Sequence, residues 1–538
     1  MRISFSHPWI SLDEIQGDYS VRYKGQLLTP GTPPGAAAQK KAARFPLEPG
    51  SLVLVPSPLL FHGIPDLIHR APADCFFIFL EGCEPLLQLA EWAFPKELRE
   101  NPRVWKKIIG SIDDLLSFFS LINISTLRRV QLITLSRGYT VSPGTYQSWE
   151  HLARAWLRQF WRNKATLTVM GRLYIDNLLA NLTRLPDAEP LARFSTEKPI
   201  ILAGAGESLE YSLPFIRENR KDCTLVSVDT AVPVLLESGI IPDLVIVVES
   251  QHANLRDFLV SGALDLPCLF DLTSYSGLIR LHRGLRGFFV SRFTELRLWA
   301  GLEAAHLMPP ALPPLGSVGL AALYLCRDLT GANILYTGLD FCITAGKTHA
   351  RGTPSHRALL GRCSRFIPLE DFSHGVPPLL SRSRDRGGRP VLTSPNLRGY
   401  HDLLTLFKDQ SRIWDIGPCA LPSLIPFPAK PQELLTALSA PGLTISPPCS
   451  SEALTTFLEQ LEEDLKKLRE EGHLWLAGDR GRNRTSRLIT LLEQVDFLYT
   501  HFPDSPDFPE IGESFLKRVL VFSERCRVRI RRNLERED

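Results

Sequence analysis

The sequence predicts an α/β protein built around a Rossmann-like parallel β-sheet, and three observations predict this fold class. Residues 199–210 read PIILAGAGESLE, which is an apolar strand, a turn with two glycines and the start of a helix. Two further apolar segments follow, and they end at Asp229 and Glu249. The residues between these segments are typical of a helix. Short apolar strands that alternate with helices indicate a parallel sheet that is covered on both faces.

The turn at residues 204–208 is the first candidate for ligand binding. The carboxyl ends of parallel strands line the ligand crevice, and a helix N-terminus offers free N–H groups to an anion. Gly204 and Gly206 would let a phosphate approach the backbone, and Ser208 could donate its hydroxyl. A purely structural turn with Ser208 near the N-cap explains the same residues. Leu209 replaces the third glycine of the dinucleotide fingerprint, which argues against a nicotinamide cofactor.

Acidic residues follow the ends of three strands on the crevice side. Asp229 could bind a ribose hydroxyl or a base, and it could equally cap the helix that follows. Glu249 could bind a sugar or a metal ion, and Asp340 follows the apolar segment that begins at residue 334. No cofactor is certain from these residues. If the three carboxylates converge, they would hold Mg²⁺ together with substrate phosphates.

A second helix start is a further candidate for anion binding. Gly316 and Ser317 precede an apolar segment with many small residues. They open the helix predicted after residue 317. Such a helix would present its first N–H groups to a carboxylate or a phosphate.

Two blocks of residues resemble the central domain of the motility-associated factor (Maf) proteins. These proteins are flagellin glycosyltransferases, and they share an MptE-like domain with archaeal pterin diphosphokinases. The resemblance covers residues 195–430 and is weak elsewhere. The segments that carry it are 204–209, 239–243, 244–249, 316–323, 331–341 and 346–349.

Two positions depart from the family pattern. The family often has aspartate where this chain has Glu249, and it usually has proline where this chain has Glu207. A carboxylate inside a phosphate-binding turn would repel phosphate unless it points away from the ligand or holds a metal ion. The resemblance nevertheless implies that residues 204–208, with Ala205 and Glu207 among them, bind the nucleotide of a donor.

The resemblance also implies a fold similar to that of bacterial sialyltransferases and a histidine as general base. A neutral imidazole would take the proton of the acceptor hydroxyl as that oxygen attacks the anomeric carbon. His349 is the first candidate, with Asp340 as a further catalytic residue and Thr348 as a donor-binding neighbour. His252 is the second candidate because it follows Glu249 closely.

The implied activity is transfer of a nucleotide-activated, CMP-linked nonulosonic acid to Ser and Thr hydroxyls of flagellin. One alternative is an MptE-like pyrophosphokinase that acts on 6-hydroxymethyl-dihydropterin with ATP and Mg²⁺. Another is a non-catalytic scaffold that binds flagellin. Binding of CMP, binding of ATP–Mg²⁺, or binding of neither would separate the three.

Composition and charge exclude other classes of protein. The 538 residues are 44% hydrophobic and 22% charged, and 61 basic residues are balanced by 58 acidic ones for a net charge of +3. This balance argues against nucleic-acid binding. No signal sequence and no apolar segment of roughly 18 residues is found, so no membrane span is expected. The ten cysteines are scattered and form no C-x-x-C pair, which favours buried free thiols over disulfides or zinc ligands. We therefore expect a cytoplasmic protein.

Three domains are expected. Residues 1–190 form a smaller N-terminal α/β lobe plus helices, residues 191–430 form the central nucleotide-sugar-binding domain, and residues 431–538 form a C-terminal helical bundle. The bundle is expected to contain three helices, and the basic sequence 525–532 ends the last of them. That end is either a solvated helix terminus or a surface for an acidic partner.

Within this plan, some segments have a predicted local structure. In the lobe, residues 1–50 are expected to be largely irregular, and strands at 52–56 and 75–81 enclose a helix. Helical periodicity covers 102–137 and 147–185. Two basic segments, 350–356 and 381–389, are expected as loops over the substrate or as plain surface loops.

Overall fold

The structure is a computed structural model, and the chain forms two compact units, residues 1–166 and residues 167–538. No helix in the described ranges is both long and apolar enough to cross a bilayer. The structure describes residues 5–29, 33–122, 126–260, 262–294, 296–344, 347–369, 380–407, 411–436, 449–503 and 511–535.

In its described residues, the first unit contains two β-sheets and five α-helices, together with part of a sixth α-helix that continues into the second unit. The strands are β1 (Ile10–Ile15), β2 (Asp18–Tyr23), β3 (Gln26–Leu27), β4 (Ser51–Pro56), β5 (Phe76–Leu80), β6 (Val104–Ile109) and β7 (Arg129–Leu132). The helices are α1 (Pro34–Ala42), α2 (Ile64–Arg70), α3 (Glu84–Ala93), α4 (Lys96–Glu100), α5 (Ile112–Leu121) and α6 (Pro143–Asn181).

The predicted βαβ unit is confirmed, since β4 and β5 pair in parallel and α2 connects them. They belong to a four-stranded sheet of order β6-β5-β4-β7. Two expectations for this unit are wrong. Residues 10–27 form the antiparallel meander β1-β2-β3 rather than irregular structure. Residues 102–137 contain β6 and β7 beside one short helix, because their apolar residues lie in segments too short to build helices throughout.

The second unit is built on a larger sheet. Its strands are β8 (Ile200–Ala203), β9 (Thr224–Val228), β10 (Leu244–Val247), β11 (Cys268–Asp271), β12 (Arg286–Ser291), β13 (Ala311–Leu312), β14 (Ile334–Thr337), β15 (Ser381–Arg384), β16 (Pro390–Thr393) and β17 (Ile413–Asp415). After α6, its helices are α7 (Ser208–Glu218), α8 (Val232–Glu237), α9 (Leu255–Phe258), α10 (Ser276–Leu281), α11 (Arg297–Ala304), α12 (Val318–Leu329), α13 (Pro354–Leu360), α14 (Pro395–Asp402), α15 (Ser451–Leu476), α16 (Arg482–Gln494) and α17 (Glu513–Leu534).

The predicted parallel sheet is confirmed. Eight strands pair in the order β13-β12-β11-β10-β9-β8-β14-β17, and every pairing is parallel. The chain runs outward from β8 to β13 and then returns to place β14 on the other side of β8. The crevice where the strand order reverses therefore lies at the carboxyl ends of β8 and β14, which is where ligands bind in open α/β sheets.

Both faces of this sheet are buried, as its continuous apolar strands require. In β10, Val245 and Val247 belong to the core on one face, and Leu244 and Ile246 belong to the core on the other. The three predicted C-terminal helices are present as α15, α16 and α17. Their leucines share the first of these cores with the sheet and with the end of α6.

The basic segments differ from the expected loops. Residues 381–393 form the antiparallel hairpin β15–β16, and Pro354–Leu360 is a helix. The helix α14 begins at Pro395, where the Ser394 side chain caps it by accepting the N–H of Leu397. A 3₁₀ turn at Leu403–Phe407 follows it.

Candidate functional site

Two glycine turns touch each other at the point where the strand order reverses. The N–H of Gly206 donates to the carbonyl of Gly338 at 2.8 Å. A Cβ on Gly204 would lie 2.5 Å from that carbonyl oxygen, and Gly338 itself has a φ of +72°. Close packing between the two turns therefore requires these glycines, whether or not a phosphate approaches them.

Asp340 occupies the N-terminus of α7. Its Oδ2 accepts the N–H of Ser208 at 2.8 Å. Burial raises the pKa of Asp340 to about 6. The hydroxyl oxygen of Ser208 accepts the N–H of Cys419 at 2.9 Å. The carboxylate and the Gly338 carbonyl thus satisfy, from within the protein, two N–H groups that a phosphate would need.

Glu207 turns away from the Gly338 turn and binds two cations. Its Oε1 lies 2.7 Å from Nζ of Lys347, and Arg389 donates to both of its carboxylate oxygens, at 3.1 and 2.8 Å. Burial raises the pKa of Glu207, but the bonds from Arg389 and Lys347 outweigh that effect and hold its pKa below the usual value. The charge of this carboxylate is therefore compensated within the protein.

Neighbouring contacts hold residues 347–351 beside the turn. Lys347 also binds Glu210 at 3.1 Å, and the N–H of Arg351 donates to the same Glu210 oxygen at 2.9 Å. The N–H of Ala350 donates to the carbonyl of Ala205 at 2.8 Å. Gly346, which belongs to the same motif, lies outside the described residues.

His349 lies within this segment and is half-buried. Its Nδ1 is 3.2 Å from the hydroxyl of Thr348 and 3.3 Å from that of Ser355. Burial lowers the pKa of His349, so the ring is neutral at pH 7. When Nδ1 carries the hydrogen and donates it to one of these hydroxyls, Nε2 keeps its lone pair and is the atom that would accept a proton from a substrate.

An open pocket of about 660 Å³ lies on the outer side of the turn. Five of the residues that line it are charged, two of them acidic and three basic. Its lining residues are Glu207, Glu210, Tyr211, Thr344, Lys347, Arg351, Arg389 and Pro390.

Asp229, at the end of β9, belongs to a buried carboxylate pair. Nδ2 of Asn254 donates a hydrogen bond to Oδ2 of Asp229 at 2.7 Å, and the same nitrogen lies 3.4 Å from Oδ2 of Asp257. Burial, followed by the charge of Asp229, raises the pKa of Asp257 to about 7, and burial raises that of Asp229 to about 6. Such paired, shifted carboxyls are typical of functional sites.

Glu249 and His252 lie nearer to solvent. Glu249 accepts the N–H of Gln251 at 2.9 Å, and the His252 ring packs edge-on against Tyr275. Both residues are exposed. Burial raises the pKa of Tyr174 to about 12, and the charge of Glu249 adds to that effect, so this carboxylate lies close to the end of α6.

The predicted metal ligands are not brought together. Within the described ranges, no group of three or more His, Cys, Asp or Glu side chains is placed to hold a metal ion. Asp340 binds the start of α7, Asp229 binds Asn254, and Glu249 binds its own loop.

Gly316 and Ser317 open α12 as predicted. Gly316 has a φ of +68°, and a Cβ there would lie 2.8 Å from the ring of Tyr400. The Ser317 side chain does not cap the helix. The first N–H groups of this 12-residue helix are therefore not satisfied by Ser317.

Comparisons with known proteins confirm the predicted resemblance. Residues 175–346 match the model of a family described as 6-hydroxymethylpterin diphosphokinase MptE-like. The matched region begins near the end of α6 and includes the strands from β8 to β14, so Asp229, Asp257 and Asp340 all lie within it.

The fold beyond the MptE-like domain is also recognised. The structure of a Maf glycosyltransferase from Magnetospirillum magneticum AMB-1 superposes with a TM-score of 0.58 over 98% of this chain and 91% of that chain, at 14% identity. The expected fold class is therefore confirmed. An uncharacterized protein of Treponema pallidum (strain Nichols) is 27% identical over 94% of this chain and 92% of its own. A second protein of that strain is 36% identical over 85 residues.

Sequence reasoning missed several residues that the structure places at these sites. Asn254 and Asp257 lie in a segment without a motif, and only the fold brings them to Asp229. Lys347 lay inside a quoted motif without a role, and Arg389 lay in a segment predicted to be a loop. The clustering of arginines in that segment was the available signal for Arg389.

Proposed function

We propose that this chain is a cytoplasmic glycosyltransferase that transfers a CMP-linked nonulosonic acid to Ser and Thr hydroxyls of flagellin. The observation that carries the proposal is a neutral His349 held beside the turn at residues 204–208, where the strand order reverses. The similarity to a Maf glycosyltransferase extends over 98% of the chain and supports this reading. The MptE-like match covers the central part alone.

The proposed chemistry needs one base and one anion site. His349 accepts the proton of the acceptor hydroxyl at Nε2 while that oxygen bonds to the anomeric carbon, and CMP leaves with the electron pair of the broken bond. The uncapped start of α12, at Gly316 and Ser317, offers N–H groups to the donor's phosphate or carboxylate. The turn at 204–208 supports the site, and Asp229 and Glu249 recognise polar groups of the donor.

Calorimetry with CMP, CDP, UDP and ATP, each with and without Mg²⁺, tests the donor assignment. We expect CMP to bind, and we expect Asp229→Asn to weaken it at least about tenfold, since one hydrogen bond to a charged group is worth roughly 1.5–3 kcal/mol. Asp496→Asn is the matched control, because it removes another carboxyl whose pKa burial raises to about 6. Absence of CMP binding would contradict the proposal.

A substitution at Gly206 would not serve in this experiment. Its Cβ would lie 2.6 Å from Asp340 and 2.7 Å from the Gly338 carbonyl, so any side chain there would disturb the fold itself. Loss of CMP binding in such a variant could then come from a disturbed fold or from a lost ligand contact.

The MptE-like match favours a second candidate, a pyrophosphokinase that acts on 6-hydroxymethyl-dihydropterin. Binding of ATP–Mg²⁺ without CMP, together with AMP release in the presence of that pterin, would select it. A non-catalytic scaffold is the remaining alternative. A carboxylate in the phosphate-binding turn would favour it, but Lys347 and Arg389 neutralise the charge of Glu207.

A further inference from the structure

The carboxylate of Glu207 joins three segments that are distant in sequence. Glu207 directly precedes α7, and its carboxylate binds Lys347 in the segment that contains His349 and Arg389 directly before β16. Glu207 and Lys347 are 10% and 11% exposed, so water screens this pair weakly. Glu207, Glu210, Lys347, Arg351 and Arg389 are called the Glu207 cluster below.

Glu207, Glu210 and Asp385 each have a cationic partner. Lys347 lies between Glu207 and Glu210, at 2.7 and 3.1 Å. Arg389 lies between Glu207 and the buried Asp385, whose Oδ2 accepts its Nε at 3.0 Å. Removing the Glu207 charge would leave Lys347 paired with Glu210 alone and Arg389 paired with Asp385 alone. Because the side chains of Glu207 and Lys347 are largely buried, this loss is more costly than loss of a surface ion pair.

The cluster restrains the backbone on both sides of His349. Lys347 precedes this histidine by two residues, and Arg351 follows it by two residues and donates its N–H to Glu210. Glu207 also binds Arg389, so the hairpin β15–β16 is held against the same turn. The position of the imidazole relative to the turn therefore depends on a side chain that has no contact with it in the interactions described.

We propose that Glu207 is a positioning residue that fixes the His349 segment and the β15–β16 hairpin against the turn at 204–208. The proposal rests on the proposed function only where it treats His349 as the base. The restraint of the two segments by Glu207 is a property of the free protein, so it is tested without substrate.

Hydrogen–deuterium exchange of the free protein tests the cluster directly. In Glu207→Gln, amide exchange in residues 347–353 and 385–393 should become at least about tenfold faster. The two segments can then open locally without breaking ion pairs to Glu207, so opening costs less free energy. Glu237→Gln is the matched control, since it removes an ion pair with Arg357 of α13 at an exposed site in the same unit. Unchanged exchange in both segments of Glu207→Gln would overturn the proposal, as would equal acceleration throughout the second unit.

Lys347→Met provides a second variant if Glu207→Gln does not fold. It should accelerate the 347–353 segment by a similar factor, and Lys347→Arg should restore slow exchange because it keeps the cation. Failure of Lys347→Arg to restore it, with Lys347→Met accelerated, would contradict an ion-pair role.

Steady-state kinetics separates this proposal from the proposed function. Glu207→Gln should lower kcat about tenfold or more and change KM for the donor less than twofold, because a misplaced base affects the chemical step. A larger rise in KM with unchanged kcat would overturn the positioning role. If the wild type transfers no sugar but the exchange results hold, the proposed function fails and the structural role of Glu207 stands.

Discussion

At the scale of single residues, the acidic residues that follow three strands have three different environments. Asp340 binds the N–H at the start of α7, Asp229 is paired with Asp257 through Asn254, and Glu249 is exposed. The sequence predicts that all three residues follow strand ends. It does not predict where each side chain points, because that depends on segments that lie far away in the chain.

His349 gives the clearest prediction at this scale. His349→Gln should lower kcat about 100-fold or more, since a general base contributes roughly 10²- to 10⁴-fold. Because burial lowers the pKa of His349 in the free protein, the acid limb of the wild-type kcat/KM profile should lie below the ordinary histidine value of about 6.5. His473→Gln, an exposed histidine of α15, should leave kcat unchanged. An acid limb at or above pH of about 6.5 would argue against a neutral, buried base.

Asp257 predicts a pH dependence of stability. Its folded-state pKa is raised to about 7, whereas an unfolded aspartate titrates near about 4. The stability that its proton provides is therefore complete below pH of about 4 and is lost as the pH rises through about 7. Asp257→Asn cannot ionise, so at pH of about 8 it should be more stable than wild type by on the order of 1–3 kcal/mol.

Urea unfolding at several pH values measures this effect. The free energy of unfolding of Asp257→Asn should vary less with pH than that of wild type between about pH 4 and 7. Asp222→Asn, at an exposed position, is the control and should follow wild type. A loss of stability in Asp257→Asn at pH of about 8 would mean that the carboxylate is stabilising there.

At the scale of elements, the helices and strands that could be predicted are those with a regular apolar pattern over many residues or with a distinctive turn. The strands around residues 200–247 and the helices of the last hundred residues follow from such patterns. The meander β1-β2-β3 was missed although Gln16-Gly17 and Lys24-Gly25 both have positive φ and close two-residue turns. β13 and β17 have two and three residues, which are too few to show a period.

The contact between the two glycine turns predicts a cost for any side chain at Gly206. Gly206→Ala should destabilise the second unit by about 1–3 kcal/mol, because the new Cβ meets a backbone carbonyl that cannot move freely. Gly361→Ala is the control, since its Cβ would make an ordinary 3.5 Å contact. Thermal unfolding followed by circular dichroism compares them. Equal melting temperatures for the two variants would contradict this account of the turn.

The basic end of α17 predicts a structural role for Arg525. Its guanidinium binds Asp176 of α6, whose side chain is 7% exposed. Arg527 and Arg531 bind Glu462 of α15. The two expectations for this helix end were a solvated terminus and a surface for an acidic partner. The contacts instead favour a role of these arginines within the fold.

Removing Arg525 should therefore be costly. Arg525→Met should lower the free energy of unfolding by about 1–3 kcal/mol, because it leaves a buried carboxylate without its cation. Arg532→Met, at an exposed position on the same helix, should change it by less than about 0.5 kcal/mol. Urea titration measures both, and equal values for the two variants would contradict this interpretation.

At the scale of the whole chain, the fold class could be predicted and the packing between segments could not. The expected division at residues 190 and 430 stays a prediction. In the structure, leucines of α15 such as Leu458 and Leu465 share one core with Val245 of the central sheet. Amphipathic periodicity shows that such leucines are buried, but it does not show against which surface, because many apolar faces would satisfy it.

The central claim is that the chain transfers a nonulosonic acid from CMP to flagellin with His349 as the base. The most direct measurement is the intact mass of flagellin from the organism that encodes the chain, after incubation with CMP-nonulosonic acid and either the wild type or His349→Gln. We predict a mass increase of one or more nonulosonic acid residues with the wild type and little or none with the variant. Unmodified flagellin with the wild type, or equal modification with both proteins, would contradict the claim.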